Sequence, residues 1–573
     1  MVSLTIDNKT VTIEDGTTIL EAAASAGIKI PTLCYLKDLC EIGACRVCVV
    51  EIEGDAKLSA ACNTGAEDGM VVYTNSRRVR EARRINVELI LSGHNNNCTS
   101  CVRGGNCSLQ SLAEDLNIPE DPYDKKITSK EWSQDYPLIR DESKCVKCMR
   151  CISICETVQS LGVWDTRGSA SRLTVDVASG ESIDESVCVL CGQCVTHCPV
   201  GALSARDDTE KVFDALSDPD KIVIVQLAPA VRAAWGEGLG LSRDEATVGR
   251  MVAAVRALGA DYVFDTNFSA DLTIMEEGSE LLQRLTGKEK RNWPMFTSCC
   301  PGWVSFVKSQ YPDMLPNLST AKSPQQMFGA AAKTWFAKRT NIDPAKIFCV
   351  SVMPCMAKKN ECTLPNMSGT GTGQDVDVVI TSRELARMLK ACHINAQELE
   401  EEQFDDILGE GTGAAVIFGA TGGVMEAALR SAYYLATGKN PEPDSFSAVR
   451  GMNGCREAAV DIDGTTVRAA VASGLANARE LIEKIRSCEV EYDFIEIMAC
   501  PGGCVGGGGQ PIKDGCELGT ERAPVLYGLD KNSKIRFSHE NPSVLKAYEE
   551  FFEKPLSHKS HELLHTEHGV KKL

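Results

Sequence analysis

MACPGGCVGGGG, at residues 498–509, directly follows the apolar run Phe494–Met498. The run has the length of a buried strand, and the glycines after it let the backbone approach a bulky group closely. Two more cysteine motifs occur upstream, TSCCPGW at residues 297–303 and VMPCMAKK at residues 352–359, the second also directly after an apolar run. Because open α/β sheets place ligand sites at the carboxyl ends of their strands, we expect these motifs to converge on one crevice.

Apolar runs of strand length alternate with amphipathic stretches from about residue 210 onward. The predicted strands are Ile222–Leu227, Tyr262–Phe264, Ile347–Val352, Ala414–Phe418 and Phe494–Met498. The predicted helices are Val248–Leu258, Leu281–Leu285, Ser382–Leu389 and Leu475–Ile485. This alternation is typical of parallel sheets covered by helices, so the sequence predicts a large α/β domain over residues 210–573.

Residues 126–209 contain two near-copies of one motif, CVKCMRCISIC at residues 145–155 and CVLCGQCVTHCP at residues 188–199. This spacing is that of bacterial two-cluster ferredoxins, in which the fourth cysteine binds the other cluster. One 4Fe–4S cluster is therefore expected on Cys145, Cys148, Cys151 and Cys198, and the other on Cys188, Cys191, Cys194 and Cys155. A zinc ribbon is disfavoured, because it needs pairs of C-x-x-C and no third repeat.

Residues 1–78 are predicted to form a small β-rich domain, with strands at Val2–Ile6, Thr10–Ile13 and Val47–Ile52 and a helix that Thr18 caps. Four thiolates complete a 2Fe–2S cluster, and the domain resembles the plant-type (β-grasp) ferredoxin domain at the front of complex I and hydrogenase subunits. The candidate ligands are Cys34, Cys45, Cys48 and Cys62. Spacing alone leaves Cys40 as a competitor of Cys45.

Residues 79–125 are predicted to be a small helical domain with a helix at Val79–Leu91. A lone histidine is more often structural than a ligand, but His94 precedes three closely spaced cysteines that lack a fourth partner. A 4Fe–4S cluster with one imidazole ligand is therefore expected on His94, Cys98, Cys101 and Cys107. Replacing a thiolate by a neutral ligand removes one negative charge, which raises the reduction potential if other terms are equal.

The composition excludes some classes of function. The net charge of −19 disfavours nucleic acid as a partner. No run approaches the roughly 20 apolar residues of a membrane span, and the N-terminus lacks the features of a signal peptide. We therefore expect a cytoplasmic location, where thiols stay reduced and closely spaced cysteines bind metals rather than form disulfides.

Together the three C-terminal motifs resemble the three signatures of the FeFe (iron-only) hydrogenases. The resemblance extends over the whole chain and is to the form with four accessory iron–sulfur clusters. It implies a two-lobed α/β catalytic domain, hence a multidomain α+β and α/β chain, and the reversible reaction 2H⁺ + 2e⁻ ⇌ H₂. The family's H-cluster is a 4Fe–4S cubane joined through one thiolate to a diiron unit with CO, cyanide and a dithiolate bridge.

Matching motif positions assigns the residues around that cofactor. The cubane would be held by Cys300, Cys355, Cys500 and Cys504, with Cys504 as the bridging thiolate. Lys358 would donate a hydrogen bond to a cyanide, as a cation beside an anionic ligand should. The resemblance implies pocket-lining roles for Pro229, Ala230, Ser323, Gln325, Met353, Phe418 and Met498. Ala230 is a departure, since some members have serine there.

The same resemblance implies a proton path that begins at Cys299. A thiol with a pKa near ~8.5 passes a proton in either direction at modest cost. The path continues through Glu277, Glu280 and Ser319, with Arg284 at the exit. From the residues alone, Glu277 and Glu280 are better explained as a solvated helix face, because they are three positions apart; only the resemblance assigns them to the path.

The electron partner stays open between ferredoxin and NAD(P)H-linked flavoprotein subunits. Pro501 stands where the stand-alone clostridial enzyme has histidine, and members with proline include subunits of NAD(P)-linked complexes and monomeric algal enzymes. Maturation proteins are implied, because cysteines alone cannot make CO and cyanide ligands. A pure electron-relay subunit would not need Cys300, Cys355, Cys500 and Cys504, and an iron–sulfur assembly or sensory relative would lack Cys299, so an enzyme is favoured.

Overall fold

The chain folds into two units in the computed structural model, which describes residues 1–119, 122–287, 293–451, 454–462 and 464–569. The first unit contains residues 1–186, 193–204 and 512–516. The second unit contains residues 187–192 and the described parts of 205–511 and 517–573. The last four residues of the predicted catalytic domain, 570–573, lie outside the described residues.

The first unit begins with a mixed sheet and one helix. Its strands are β1 (Val2–Ile6), β2 (Lys9–Ile13), β3 (Val49–Ile52), β4 (Ser59–Ala60) and β5 (Val71–Tyr73), and they lie in the order β2-β1-β5-β3-β4. Helix α1 (Ile19–Ser25) begins after Thr18, which forms a capping box with Glu21, so two backbone N–H groups are satisfied at the helix start. The apolar faces of the sheet and of α1 form one buried core.

Short elements follow in the rest of this unit. They are α2 (Arg77–Ser92), α3 (Ser108–Asp115), β6 (Leu138–Arg140), α4 (Arg150–Ser153), β7 (Trp164–Arg167), β8 (Thr174–Val177), α5 (Gln193–Thr196) and β9 (Leu203–Ala205). The strands β7 and β8 pair in antiparallel fashion. Most cysteines of this unit lie in the loops between these elements, where the backbone is free to wrap around a bound group.

The second unit contains two four-stranded sheets. The strands are β10 (Ile222–Leu227), β11 (Tyr262–Asp265), β12 (Met295–Phe296), β13 (Ile347–Met353), β14 (Val378–Thr381), β15 (Cys455–Ile462), β16 (Thr465–Ser473) and β17 (Phe494–Met498). One sheet is parallel throughout, in the order β11-β10-β13-β14. The other has the order β12-β17-β16-β15, with β15 antiparallel at its edge.

Helices surround both sheets. They are α6 (Thr209–Ser217), α7 (Val248–Ala257), α8 (Asn267–Leu285), α9 (Pro301–Gln310), α10 (Pro324–Ala331), α11 (Ala337–Thr340), α12 (Ala357–Glu361), α13 (Ser382–Ala391), α14 (Gly413–Val416), α15 (Gly423–Thr437), α16 (Leu475–Arg486), α17 (Gly519–Asn532), α18 (Pro542–Ala547) and α19 (His558–Leu564). In the described part of the chain, no helix is both long and apolar enough to cross a membrane.

Two predicted elements differ from the structure. The predicted strand Ala414–Phe418 is wrong, because the run forms α14 and a following 3₁₀ turn, Ile417–Gly419. The Thr412 side chain accepts a hydrogen bond from the Ala415 N–H and caps this helix. A short apolar run buried on all sides has no periodicity that separates strand from helix. The predicted helix Leu281–Leu285 is only the end of α8, whose earlier turns are buried almost all round.

Each of the three cysteine motifs begins at the carboxyl end of a parallel strand. The motif at 297–303 follows β12, the motif at 352–359 follows β13, and the motif at 498–509 follows β17. The strand β12 was not predicted, since two residues are too few for a sequence pattern. Parallel strands end at the same edge of their sheet, so the fold brings three distant segments together.

We expect Gly503→Ala to lower both the midpoint of thermal unfolding and the iron bound per chain. Gly503 has φ +86° and ψ −154°, a region that only glycine adopts readily. An added Cβ would lie 2.7 Å from the Thr421 nitrogen, so the loop that carries Cys504 must move. The matched control is Gly438→Ala, with φ +70° and no atom within 4 Å of the added Cβ. Equal effects of the two substitutions on both measurements would contradict this prediction.

Candidate active site and metal centres

A cavity of about 730 Å³ lies at the carboxyl ends of strands from both sheets of the second unit. Residues from the three cysteine motifs line it, namely Cys299, Cys300, Cys355, Cys500 and Cys504. The remaining predicted residues on its wall are Pro229, Ala230, Gln325, Met353, Lys358, Phe418 and Met498. The motifs also touch one another, since the Ala499 N–H lies 3.5 Å from the Cys300 sulfur.

The cavity fits an iron–sulfur cofactor by the chemistry of its donors. The four cysteines of this cavity form no disulfide bonds, so their thiols are available as ligands. Burial, with Cys300 adding to it, raises the pKa of Cys355 to about 11, and burial also raises that of Cys504. Thiolates in such surroundings are stable only beside positive metal charge. An added Cβ on Gly507 would collide with the Pro354 oxygen, so the loop lies close against the opposite wall.

Glu361 joins three of the predicted residues, and sequence reasoning missed it. One of its carboxylate oxygens accepts hydrogen bonds from Ser323 at 2.9 Å, from Gln325 at 3.2 Å and from Lys358 at 3.0 Å. Ser323 therefore supports the cavity wall through Glu361 and is not among the residues that line it. Glu361 follows Lys358 by three residues on α12, a spacing that places two side chains on the same face of a helix. This spacing could have identified Glu361 from the sequence.

Lys358 is held as a cation at the cavity. Its ammonium group lies 3.0 Å from Glu361 and 3.4 Å from the carbonyl oxygen of Cys299. Burial opposes its charge, but the Glu361 carboxylate, followed by Cys355, outweighs this effect and raises the pKa of Lys358. A fixed buried cation at this wall can donate a hydrogen bond to an anionic ligand inside the cavity.

The predicted proton-path residues lie inside the second unit. Glu277 and Glu280 are 0% and 2% exposed, so the alternative of a solvated helix face is wrong. The reason is that α8 is covered by α10 and α15. Glu280 accepts hydrogen bonds from Ser319 at 2.9 Å and from Arg284 at 2.5 Å. Arg284 is itself 3% exposed and also donates to the carbonyls of Asn317 and Leu318.

The two carboxyl groups have opposite charge states near neutral pH. Burial, with the neighbouring Glu280 carboxylate, raises the pKa of Glu277 to about 8. Burial also opposes ionisation of Glu280, but Arg284 outweighs it and lowers the pKa of Glu280. A protonated acid beside an ionised one is the arrangement that lets a proton move between them. Ser319 and the backbone of Ser298 are near Glu277, but neither of its oxygens forms a close hydrogen bond among the described residues.

Cys299 differs from the expectation of an ordinary thiol. Burial, with Glu277 adding to it, raises the pKa of Cys299 well above its usual range. The protonated thiol is therefore the stable form in the protein, and Cys299 holds a proton at rest. Because the thiolate is unfavourable here, the Cys299 thiol can give up its proton only if it receives another one, as a proton-relay group does.

The 2Fe–2S candidates separate into two contacting pairs. The side chains of Cys34 and Cys45 are neighbours, and the sulfurs of Cys48 and Cys62 are 3.4 Å apart. The Cys40 sulfur is directed instead at the carbonyl oxygen of Cys148, at 3.5 Å. The geometry therefore favours Cys45 over Cys40 as the second ligand, an alternative that spacing left open.

His94, Cys98 and Cys107 line a cavity of about 620 Å³. Cys101 lies nearby against Gly201, where an added Cβ would be 2.5 Å from its sulfur. The Nδ1 atom of His94 lies 3.0 Å from the carbonyl oxygen of Lys144. A carbonyl only accepts hydrogen bonds, so Nδ1 must carry the hydrogen and the lone pair is on Nε2, the usual arrangement for a metal-binding imidazole.

The tandem motif brings together the interleaved set that its spacing predicted. Cys145, Cys148, Cys151 and Cys198 line one cavity of about 420 Å³ in the first unit. The ligands predicted for the second 4Fe–4S cluster are divided between the units. Cys155 and Cys194 belong to the first unit, and Cys188 and Cys191 belong to the second. Within the second unit, the Cys500 sulfur lies 3.7 Å from the carbonyl oxygen of Cys191, so a cysteine of the tandem motif directly adjoins the cavity.

Five families match consecutive parts of the chain. "Iron only hydrogenase large subunit, C-terminal domain" matches residues 221–508, and "Iron hydrogenase small subunit" matches residues 517–571. "2Fe-2S iron-sulfur cluster binding domain" matches residues 1–77, and "4Fe-4S dicluster domain" matches residues 144–202. "NADH-ubiquinone oxidoreductase-G iron-sulfur binding region" matches residues 83–122.

Whole-chain relatives and solved structures agree with these matches. The chain is 50% identical to "NADP-reducing hydrogenase subunit HndD" of Solidesulfovibrio fructosivorans, over 99% of this chain and 98% of that protein. It is 42% identical to "Iron hydrogenase 1" of Clostridium pasteurianum, over 96% of this chain and 97% of that protein. A solved structure of an apo variant of the FeFe hydrogenase HydA1 from Chlamydomonas reinhardtii is 43% identical and covers 63% of this chain and 99% of its own, with a TM-score of 0.56. The chain therefore belongs to the FeFe (iron-only) hydrogenases and is an iron hydrogenase with accessory iron–sulfur domains.

Proposed function

We propose that this chain is a catalytic hydrogenase subunit that interconverts protons, electrons and H₂ at an H-cluster in the cavity of the second unit. The observation that carries the proposal is the convergence of Cys300, Cys355, Cys500 and Cys504 on one largely apolar cavity. Cys299 and Lys358 lie on the same wall. A pure relay protein has no use for a buried cation and a spare thiol beside a fifth cluster.

Each residue of the cavity has a proposed role. When bound, the H-cluster supplies the redox chemistry, the exchange of two electrons and two protons with H₂. Cys300, Cys355, Cys500 and Cys504 would hold it, and Cys504 would be the thiolate shared by its two parts. Lys358 would donate a hydrogen bond to one of its anionic ligands. The apolar side chains of Met353, Phe418 and Met498 exclude water from the cavity.

The accessory clusters are proposed to relay single electrons to this site. We assign one 2Fe–2S cluster to a β-grasp domain at 1–78, one His94-ligated 4Fe–4S cluster to a helical domain at 79–125, and two 4Fe–4S clusters to a ferredoxin domain at 126–209. The catalytic domain would then span 210–573. The contact between Cys191 and Cys500 supports the last step of the relay. We also propose a reducing, cytoplasmic location, because the closely spaced cysteines of the cluster motifs stay reduced there and can bind metal.

Protons are proposed to move through Cys299, Glu277 and Glu280, with Ser319 and Arg284 at the outer end. An arginine side chain does not give up a proton in proteins, so the proposed role of Arg284 is to hold Glu280 ionised and in place. Glu277 is the group that carries a proton near neutral pH, because its pKa is raised to about 8 by burial, with Glu280 adding to the effect. The opposite charge states of Glu277 and Glu280 support this assignment.

Replacing Cys299 by Ala should leave the cofactor in place but lower turnover by about a hundredfold or more, the usual contribution of a positioned acid–base group. No side chain then accepts the first proton, while the four cluster ligands are unchanged. Infrared bands of metal-bound CO and cyanide, measured on protein matured without oxygen, report the cofactor, and H₂ evolution with a reduced dye reports turnover.

The matched control is Cys349→Ala, since Cys349 is also buried in this unit but lies on β13. Near-normal turnover of Cys299→Ala would disprove the proton path. Absence of the infrared bands from the unsubstituted, matured protein, with its iron–sulfur clusters present, would disprove the H-cluster.

Replacing His94 by Cys should lower the reduction potential of one accessory cluster, because a thiolate adds a negative charge to the site. His94→Ala should alter the same electron paramagnetic resonance signal and spare turnover with a dye that reaches the inner clusters. The measurement is a redox titration followed by this resonance, with His558→Ala as the control at an exposed histidine. A spectrum unchanged in both His94 variants would exclude His94 as a ligand.

We further propose that the electron partner is an NAD(P)-linked flavoprotein subunit, with ferredoxin as the alternative. The relative that is half identical over nearly the whole chain is named an NADP-reducing hydrogenase subunit, which supports this choice. Maturation proteins are further partners, required to make the CO and cyanide ligands.

The native complex, purified with any associated subunits, is expected to reduce NADP⁺ or NAD⁺ with H₂, whereas this chain alone is not, since its clusters deliver single electrons to a protein. Ferredoxin reduction by the isolated chain, with no associated subunit in the native material, would reject the flavoprotein partner.

A further inference from the structure

A buried arginine beside the predicted His94 cluster lacks partners for most of its guanidinium group. Arg103 is 6% exposed, and among the described residues its two terminal nitrogens have no hydrogen-bond partner. Its Nε atom alone is paired, since it donates to the carbonyl oxygen of Asn106 at 2.6 Å. A buried cation is unfavourable without partners, because it has lost its contacts with water. A negatively charged group bound nearby would supply the missing partner.

Arg103 lies in the chain between two predicted ligands of that cluster, Cys101 and Cys107. Cys101 and Arg103 pack against Gly201, where an added Cβ would lie 2.5 Å from the Cys101 sulfur and 3.7 Å from Cγ of Arg103. Cys107 lines the cavity together with His94. Burial raises the pKa of Cys107, and the charge of Arg103 is among the effects that oppose this rise. The guanidinium group is therefore close enough to act on the ligands of this site.

The loop that carries Arg103 is held tightly in place. The Asn106 N–H donates to the carbonyl oxygen of Arg103 at 2.9 Å, so these two residues are joined by two hydrogen bonds. The Asn106 side chain donates in turn to the carbonyl oxygen of Ile512 at 2.8 Å. An added Cβ on Gly104 would lie 2.6 Å from the Cys98 oxygen, so the loop is also closely packed against itself. The position of the guanidinium group is thus fixed by the loop.

Backbone N–H groups add to the positive potential at this side of the site. Cys107 immediately precedes α3, and the N–H groups of Gln110 and Leu109 lie near its sulfur. The first N–H groups of a helix have no partner within the helix and favour negative charge. Cys107 is therefore close both to a helix N-terminus and to the charge of Arg103.

We propose that Arg103 raises the reduction potential of the His94-ligated cluster by donating hydrogen bonds from its terminal nitrogens to the sulfur atoms of that site. Each electron that the site accepts adds one negative charge, and a cation nearby stabilises the site more after this addition than before it. The neutral imidazole of His94 acts in the same direction. The inference rests on the proposed ligation by His94, and it assigns this site the role of holding an electron more readily than an otherwise equal four-thiolate cluster.

Two substitutions at Arg103 separate the effect of its charge from that of its shape. Arg103→Gln removes the charge and keeps a polar side chain, whereas Arg103→Lys keeps the charge. At the midpoint potential of the unsubstituted protein, the ratio of reduced to oxidised cluster should fall about tenfold in Arg103→Gln, or ~59 mV for one electron. Arg103→Lys should show a clearly smaller shift. The measurement is a redox titration followed by electron paramagnetic resonance, on the full chain produced without maturation proteins.

His94→Cys identifies which resonance signal belongs to this cluster, because it should lower the potential of the same signal. The matched control is Arg77→Gln, whose side chain is 87% exposed and pairs with Glu81 on α2, and it should leave every potential unchanged. Iron bound per chain and the midpoint of thermal unfolding are measured on the same samples. If Arg103→Gln binds less iron, Arg103→Lys decides: full iron with a small shift supports the role of the charge.

An unchanged potential of that signal in Arg103→Gln would overturn the proposal. Equal shifts, or equal losses of iron, in Arg103→Gln and Arg103→Lys would also overturn it, because they would show that Arg103 serves only to hold the Asn106 carbonyl. These failures are separate from those of the proposed function. His94→Cys without effect on any signal would reject the ligation by His94, and missing CO and cyanide bands in matured protein would reject the H-cluster alone.

Discussion

The burial of four thiols in one largely apolar cavity is the constraint on which the rest of the catalytic unit depends. Buried thiolates are unstable without a positive partner, and a metal cluster supplies that charge. The cysteines come from three segments, each placed at the carboxyl end of a parallel strand, so the site exists only when both sheets are formed. The same cavity explains why the loop after β17 is rich in glycine, because side chains there would collide with the opposite wall.

Charge in this unit is paired at two places that matter for the site. Lys358 faces Glu361 and Arg284 faces Glu280, each pair at 3.0 Å or closer. Glu277 is neutral near pH 7, because burial raises its pKa to about 8, with Glu280 adding to the effect. The path proposed from Cys299 to Glu280 would therefore lead through a neutral carboxyl group to a paired carboxylate, so that a proton could move along it without leaving an unpaired charge in the interior.

The C-terminal tail packs on the residues that hold Glu280. It matches the small-subunit family, and in this chain its backbone pairs with residues 320–322 of the large-subunit region. The His568 imidazole contacts the carbonyl oxygen of Ser319. The tail therefore covers Ser319 and Thr320, whose hydroxyl groups donate hydrogen bonds to Glu280.

The sequence by itself determined the cofactor chemistry. Ligand spacings such as C-x2-C-x2-C-x3-C can be recognised in a short stretch of sequence, because neighbouring ligands must lie on one loop. Each of the three catalytic motifs is likewise one unbroken stretch of the chain. Strands such as β10 and β17 were also predictable, since their apolar runs are long enough to be recognised. Only the tertiary structure decided what depends on distant partners: the placement of Cys45 beside Cys34, the burial of Glu277 and Glu280, the support from Glu361, and the contact of His565 with Thr320. Burial and charge pairing between residues far apart in the chain leave no periodic or spacing signal, and this is why α8 resembled a solvated face and α14 a strand.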